Sequence, residues 1–571
     1  MGTKCGKEVP IYQPESLSGA LRKIENGAFS VNAQADPYVS PNPPTDVPVA
    51  RHPSQASSKS KHSSTSFGRA HFITHHTDGT LETRLEMGPK VGEGAQGVCF
   101  KAFRKADGAV RAVKRVAKAT MRGQDVVVFR REVEIMKELD HPNIVKLYAS
   151  FEDRANYYLV TEFCAGGELL DKIVKQGHLT EAQAASVVQQ VLRAVFYMHE
   201  INLAHRDLKP ENFLLADDGP ISEDNLLKLI DFGIATRCEP GAVLTELCGT
   251  PFYVSPQVVT RRYDKRCDLW SVGVIMYTLL AGTVPFRGTD EEILRKVRVG
   301  IVPYPPEVWG SISGAAKHLI RGLLTRNPDT RMTAEAALAH KWIVNVAPQA
   351  KKATLPADLI DRLNSFRKLN VVKKAALQIV AGEMNDHELE CLRKVFTTLD
   401  ANGDGKLTAT EITEGIRQSG IEIPEDFVQV LAGIDADGSG QVDYTEFLAA
   451  TLDRRKSLTE NAARAAFRKF DTSGDGNIKA QEIAYVLGGN DPHARRMYEK
   501  HAVQVVRKYG QEEVLNFSDF YKMLTDQAFL EEVCTPARLG TSPWKRDLPE
   551  ISCEDIDIDV TPSTSPRQSP E

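Results

Sequence analysis

His205-Arg206-Asp207-Leu208-Lys209-Pro210-Glu211-Asn212 sets two cations, two carboxylates, an imidazole and an amide within eight consecutive residues. A proline among so many polar groups makes this stretch a loop, and loops on a rigid scaffold are where chemistry is usually carried. Downstream stand Asp231-Phe232-Gly233 and Ser255-Pro256-Gln257. Upstream, Gly92-Glu93-Gly94-Ala95-Gln96-Gly97 lies between two extended segments, whereas a dinucleotide-binding G-x-G-x-x-G opens a helix. Arg111-Ala112-Val113-Lys114 follows in a β-like run, and Glu132 lies on the amphipathic segment Phe129–Leu139, able to pair with Lys114.

The chain around these motifs has 571 residues, 42% hydrophobic and 26% charged, the composition of a soluble protein of several domains. A net charge of -5, from 71 basic and 76 acidic residues, excludes a general nucleic-acid coat. Nine cysteines, at 5, 99, 164, 238, 248, 267, 391, 534 and 553, form no C-x-x-C pair. They suit free thiols in a reducing compartment better than a disulfide frame or a zinc site. No apolar run reaches the length of a membrane span. The nearest, Ser271 to Phe286, is broken by Thr278, Gly282 and Thr283 and reads as a buried core helix. The opening MGTKCGKEVP lacks the apolar segment of a signal peptide.

Composition also divides the chain. Residues 1–80 are rich in Ser, Pro and His and are expected to be disordered. Strand-like and helix-like segments alternate through 81–343. Residues 344–384 read as helical and basic, with seven Lys/Arg against two Asp between Lys351 and Lys374. Within 385–526, Asp400, Asp435 and Asp471 open similar glycine-bearing loops 35 and 36 residues apart, a helix-loop-helix repeat. Residues 527–571 are acidic and Pro/Ser-rich, and are again expected to be disordered.

In this order and company the first set of motifs resembles a eukaryotic protein kinase over 81–343. The resemblance implies an α+β bilobal kinase fold that uses ATP and Mg²⁺. By that resemblance Val91, Gly92, Glu93, Gly94, Ala95, Gln96, Gly97, Val98, Cys99, Glu162, Cys164 and Glu168 line the nucleotide site, together with Lys114, Glu132 and Asp231. The glycines close backbone N–H groups over the phosphates, and Lys114, oriented by Glu132, holds them. Asp207 accepts the proton of the substrate hydroxyl, Lys209 steadies the transferring phosphoryl, and Asn212 and Asp231 hold magnesium. Cys99 replaces the usual Val. Gln257 replaces the Glu of A-P-E, so its pairing with Arg331 loses the charge-assisted part. Glu246 stands where a regulatory phosphothreonine is usual and is expected to face Arg206. Glu168 and Glu211 imply a preference for Arg ahead of the acceptor; Ile234 goes with threonine acceptors, and Thr161 is the gatekeeper.

The acidic loops carry calcium chemistry. An EF-hand loop needs oxygen donors at positions 1, 3, 5, 7, 9 and 12, with Gly at 6 for the turn. The first supplies Asp400, Asn402, Asp404, the Lys406 carbonyl and Glu411. The second supplies Asp435, Asp437, Ser439, the Gln441 carbonyl, Asp443 and Glu446. The third supplies Asp471, Ser473, Asp475, the Asn477 carbonyl and Glu482, but Lys479 at position 9 should weaken it. In register, Lys508 to Asp519 has Lys first and Glu513 at the turn, so it is expected to bind nothing and to serve as a structural partner. Three Ca²⁺ ions on an all-α, calmodulin-like unit are expected, with EF-hands near 387–422, 423–457, 458–489 and 495–526.

Between the two halves, Leu359, Leu363, Phe366, Leu369 and Leu377 recur near helical spacing on a basic segment, which resembles a calmodulin-type target. The expected switch places 355–380 against the substrate cleft without calcium, with Arg367, Lys368 and Lys373 drawn to residues such as Glu168, and in the EF-hand lobes with calcium. Kinase, junction and EF-hands in this order resemble the calcium-dependent protein kinases of plants and protists. That resemblance implies a calcium-activated serine/threonine kinase with its sensor in the chain, acting on protein substrates without added calmodulin or nucleic acid. Gly2 and Cys5 suggest myristoylation and palmitoylation, although Gly6 stands where the motif wants Ser or Thr. The expected location is cytoplasmic, at the cytoplasmic face of a membrane when acylated. Two alternatives remain at this point: a kinase needing external calmodulin, and a calcium-gated pseudokinase scaffold whose one support is Gln257.

Overall fold

The computed structural model describes residues 72–76, 81–94, 97–222, 225–347, 355–384 and 386–526. Gly2, Cys5, Ala95, Gln96 and the terminal stretches 1–71 and 527–571 lie outside the described residues. A six-stranded sheet opens the kinase half: β1 Thr74–His76, β2 Leu85–Gly94, β3 Gly97–Arg104, β4 Val110–Ala117, β5 Leu147–Glu152 and β6 Asn156–Thr161, in the order β1-β5-β6-β4-β3-β2. Helix α1, Gly123–Glu138, buries Phe129, Val133 and Met136, the i, i+4, i+7 stripe of an amphipathic helix. Glu132 shares that face and so points inward. The disordered reading of 1–80 fails at 72–76. Phe72 and Ile73 are buried, and the strand behind them pairs in parallel with β5. Two large apolar side chains seat a three-residue edge strand that the surrounding polar composition hides.

The second lobe is built on α2, Glu181–Glu200, and α3, Cys267–Ala281. Helix α3 is apolar all round except for Asp268, Ser271 and Thr278, and is buried from Cys267 to Leu280; Gly282, at φ 65°, ends it in the left-handed region. A short antiparallel pair, β7 Phe213–Leu215 and β8 Leu227–Leu229, brings the His205–Asn212 loop that precedes it beside the Asp231–Gly233 turn that follows it.

The junction is not one helix. Helix α4 spans Leu359–Arg367 and α5 spans Val371–Glu383, because the Asn370 side chain accepts the Lys373 N–H (2.9 Å) and starts a new helix. The stretch before them, Lys341–Val346, is a separate helix whose Trp342 and Ile343 are buried in the kinase core. Four helix-loop-helix units follow, with helices α6 Asp386–Leu399, α7 Ala409–Gln418, α8 Phe427–Ile434, α9 Tyr444–Thr451, α10 Glu460–Phe470, α11 Ala480–Gly488, α12 Pro492–Tyr509 and α13 Phe517–Thr525. Two-stranded ribbons couple the loops in pairs. Lys406–Leu407 pairs with Val442–Asp443, and Asn477–Lys479 pairs with Val514–Asn516 in the fourth loop.

Helix α4 packs on α8 and α9, and α5 on α9 and α10, burying Leu363, Phe366, Val372 and Val380. The junction cations are used as helix caps. Arg362 donates to the Thr451 carbonyl (2.9 Å), Lys374 to that of Gly433 (2.7 Å) and Lys373 to that of Asp526 (3.0 Å). Each acceptor lies at the C-terminal end of an EF-hand helix, where partial negative charge collects. Of the two expected positions for this segment, the structure holds the one gripped by the sensor.

At the last turn of α5, Glu383 meets Arg104 of β3, Arg111 of β4 (3.3 Å) and Lys469 of α10 (3.8 Å). Burial by itself raises a carboxyl, yet Lys469, Arg104 and Arg111 hold Glu383 down at about 2. Glu383→Gln leaves these cations without their counter-ion and is expected to cost about 3–5 kcal/mol. Because the folded value lies below the ordinary 4.5, the wild-type advantage is complete above that pH and shrinks as pH falls towards 2. Denaturation of both proteins from pH 8 downwards checks this; a gap that is absent at pH 7 contradicts it.

Candidate functional site

Backbone strain marks the catalytic loop before any side chain is considered. Arg206 and Asp231 have φ of 72° and 63°, values that bulky residues adopt only when their surroundings enforce them. Asp268, fully buried at the start of α3, enforces the first by accepting the N–H groups of His205 and Arg206 (both 2.9 Å). His205 in turn stacks edge-on against Phe232. The Asp207 carboxylate is thereby set between Lys209 Nζ (2.9 Å) and the Thr250 hydroxyl (2.7 Å), while Asn212 donates its amide to the Asp207 carbonyl (2.8 Å).

Across the cleft, Lys114 Nζ donates to Glu132 (3.2 Å) and lies 3.9 Å from Asp231. Burial alone lowers an ammonium, but these two carboxylates outweigh it and hold Lys114 above its usual value. Burial raises Asp231, yet Lys114 and the Gly233 N–H bring it below the usual range. Asn212 and Asp231 together offer the hard oxygen donors that magnesium takes. In the glycine loop a Cβ on Gly97 falls 2.3 Å from the Arg115 carbonyl, so a side chain there is excluded. Glu93 is turned outward onto Lys90. Cys99 faces Lys114 across the β3–β4 register. The Glu162 side chain pairs with Lys228 (2.9 Å) and accepts the Lys146 N–H (2.7 Å).

The two departures in the activation segment resolve into contacts. Arg206 donates to Glu246 (2.7 Å), the residue in the phosphothreonine position. Buried Arg331 donates to Gln257 Oε1 (2.7 Å), and otherwise only to the carbonyls of Thr325, Arg266 and Arg326. With an amide in place of a carboxylate, burial draws Arg331 down to about 10. Glu168 is exposed, while Glu211 Oε2 is buried without a hydrogen-bond partner. Burial, with lesser contributions from Asp207 and Glu168, pushes Glu211 up to about 7.

In each of the first three EF-hand loops the opening Asp accepts the N–H of the sixth-position glycine: Asp400 from Gly405 (3.1 Å), Asp435 from Gly440 (2.9 Å), Asp471 from Gly476 (3.0 Å). Those glycines have φ between 79° and 86°, the turn the loop requires. The closing glutamates, Glu411, Glu446 and Glu482, all fold back onto loop N–H groups. Among the described residues, three carboxylates with oxygens within 4.8 Å of one another occur in the second loop, at Asp435, Asp437 and Glu446. Burial there, with the neighbouring Asp437 carboxylate, pushes Asp435 up to about 6. In the first loop, Asn402 turns its amide onto Asp404 (3.0 Å) and burial pushes Asp400 up to about 7, with Arg193 opposing. In the third, Lys479 Nζ lies on Asp475 (2.5 Å), at the fifth loop position. The fourth, with no glycine at its turn position, keeps its shape by holding Glu512 and Glu513 at φ of 52° and 60°.

Thr250, Asp268 and Asp140 were not reached by motif reading. Thr250 and Asp268 sit in CGTPFY and CDLWS, where neither residue carries obvious chemistry until the chain folds.

A kinase cleft and calcium loops in one chain define a calcium-responsive protein kinase, and comparison with known proteins agrees. The protein kinase domain family matches residues 85–343, an EF-hand domain pair matches 390–452 and a further EF hand matches 463–484. Calcium-dependent protein kinase 3 of Plasmodium berghei (strain Anka) is 40% identical over 430 residues, covering 74% of this chain and 76% of its own. Calcium-dependent protein kinase 5 of Plasmodium falciparum (isolate 3D7) is 38% identical over 442 residues, 76% and 77% of the two chains. Calcium-dependent protein kinase 17 of Arabidopsis thaliana is 34% identical over 475 residues, 82% and 88% of the two. The chain belongs to the calcium-dependent protein kinases.

Lys479 is the residue that distinguishes the third loop. Lys479→Thr frees Asp475 and removes a cation from the ligand shell, so calorimetric titration should find that site tightened several-fold. An unchanged third site contradicts the assignment.

Proposed function

We propose that this calcium-activated serine/threonine kinase transfers the ATP γ-phosphoryl with Asp207 as the group that orients and deprotonates the acceptor hydroxyl. The observation that carries the reading is the convergence of Lys209 and Thr250 on one carboxylate whose loop is held by Asp268. Lys209 stands close enough to Asp207 to offset negative charge as the phosphoryl moves. Lys114, kept charged by Glu132 and Asp231, binds the nucleotide phosphates. Asn212 and Asp231 would hold magnesium, which would supply charge neutralisation at the phosphate oxygens. Glu246 gives Arg206 a permanent carboxylate partner, so the activation segment does not depend on a phosphate at that position.

Calcium enters through the loops at 400–411, 435–446 and 471–482, with the fourth loop a structural partner of the third. Capture of α4 and α5 by the EF-hand helices keeps Arg367, Lys368 and Lys373 away from the substrate cleft, which is the relieved state of autoinhibition. Substrates carry Arg ahead of the acceptor, because the buried, unpartnered Glu211 oxygen beside Glu168 suits a guanidinium.

Asp207→Ala is expected to reduce phosphotransfer to below a few per cent of wild type while calcium titrations stay superimposable. Assay of the purified chain against free calcium, with Arg-containing peptides, reads both. Substantial turnover without Asp207 contradicts its role. Glu211→Gln should raise KM for an Arg peptide while leaving its Ala counterpart unaffected; equal changes for both peptides contradict the specificity reading.

A further inference from the structure

We infer that Thr445 and Asp140 form the bond through which the second calcium loop positions α1, and with it the Lys114–Glu132 pair. The inference rests on reading 435–446 as a calcium loop in a calcium-activated kinase.

Thr445 donates its backbone N–H to Asp140 Oδ2 (2.8 Å) and its hydroxyl to Oδ1 (2.7 Å), across 305 residues of sequence. Both residues are buried, at 4% and 7% exposure, so water does not compete for the carboxylate. Two bonds from one residue to both oxygens fix orientation as well as distance. Thr445 occupies position 11 of its loop, where calcium chemistry asks for no ligand. Its hydroxyl finds its partner on the kinase instead.

On the sensor side, Thr445 precedes Glu446, whose carboxylate spans the loop by accepting the N–H groups of Ala436 (2.8 Å) and Asp443 (3.0 Å). A cation that draws Glu446 inward moves the start of α9, and Thr445 moves with it. On the kinase side, Asp140 stands two residues beyond Glu138, the end of α1, and its N–H donates to the Tyr197 hydroxyl on α2 (2.9 Å). Helix α1 carries Glu132 two turns further back, and a helix transmits displacement of its end along its length. The neighbouring first loop leaves no slack in this contact: a Cβ on Gly405 falls 2.3 Å from His141 Cδ2 and 3.2 Å from Tyr197. Asp140 and Thr445 are therefore positioning residues. They touch no substrate and act through Glu132.

Linkage makes the idea testable, since coupling between two sites must be reciprocal. In the full chain, calcium titration by calorimetry with and without a saturating magnesium complex of a non-hydrolysable ATP analogue should show nucleotide tightening the second loop by roughly fivefold or more. Thr445→Val, which keeps the N–H, and Asp140→Asn should reduce that shift towards one and blunt calcium stimulation of kcat, with calcium affinity in the absence of nucleotide retained. Thr445→Ser should restore both. The double variant should be no worse than either single one, as a shared bond requires. A purely structural role lowers the melting temperature without abolishing the linkage, and that result overturns the inference. So does a normal nucleotide shift in Thr445→Val and Asp140→Asn. A wild-type chain indifferent to calcium overturns the underlying reading as well.

Discussion

All three units converge on the Glu383 carboxylate. It closes α5, reaches two arginines on adjacent strands of the kinase sheet and shares the site with Lys469 of the sensor. Such a cluster contributes little net stability over an apolar contact of the same volume. It does penalise any arrangement in which one partner is withdrawn, because the remaining charges stay buried. The junction, the kinase sheet and the third EF-hand are thus locked in one register. Lys469 reinforces the lock by donating to the Tyr148 carbonyl on β5 (3.1 Å).

From that register follows the use made of the junction's basic residues. A cation-rich amphipathic segment has two classes of complementary surface in this chain: the acidic substrate cleft and the negative ends of the EF-hand helices. The structure shows the second, with Arg362, Lys373 and Lys374 each on a terminal carbonyl and Arg367 on Asp426 (2.5 Å). The apolar face is committed to the second. Leu363 and Phe366 are buried at 2% and 0% exposure among EF-hand helices, and apolar burial adds to the hold of the caps.

The catalytic loop shows another division of labour. Strain at Arg206 is sustained by a buried carboxylate, Asp268, that takes no part in the chemistry itself. Replacement of a carboxylate by Gln257 leaves Arg331 satisfied in hydrogen bonds but not in charge, while Glu246 adds a fixed negative partner for Arg206. The pseudokinase alternative loses its one support here, since the amide keeps the geometry that the carboxylate normally secures.

Local chemistry was legible from the residues alone. The catalytic loop, the glycine loop, the calcium loops and the degenerate fourth loop are each defined by side chains within a dozen positions, so spacing suffices to identify them. The helical stripe of α1 and the largely apolar run of α3 were legible too, although α3 starts at Cys267 and ends at Ala281 rather than running from Ser271 to Phe286. What only the tertiary structure decided involves pairs far apart in sequence or choices between comparable partners. The strand at 74–76 depends on a neighbour at 149–151. Asn370 makes the break in the junction locally, but which EF-hand helices its two halves pack against is set by the fold. The pairing of Thr445 with Asp140 and the gathering of charges around Glu383 join segments whose separate sequences carry no trace of each other. A residue's own type limits what it can bond to, but which buried partner it meets is set by how whole helices and sheets pack.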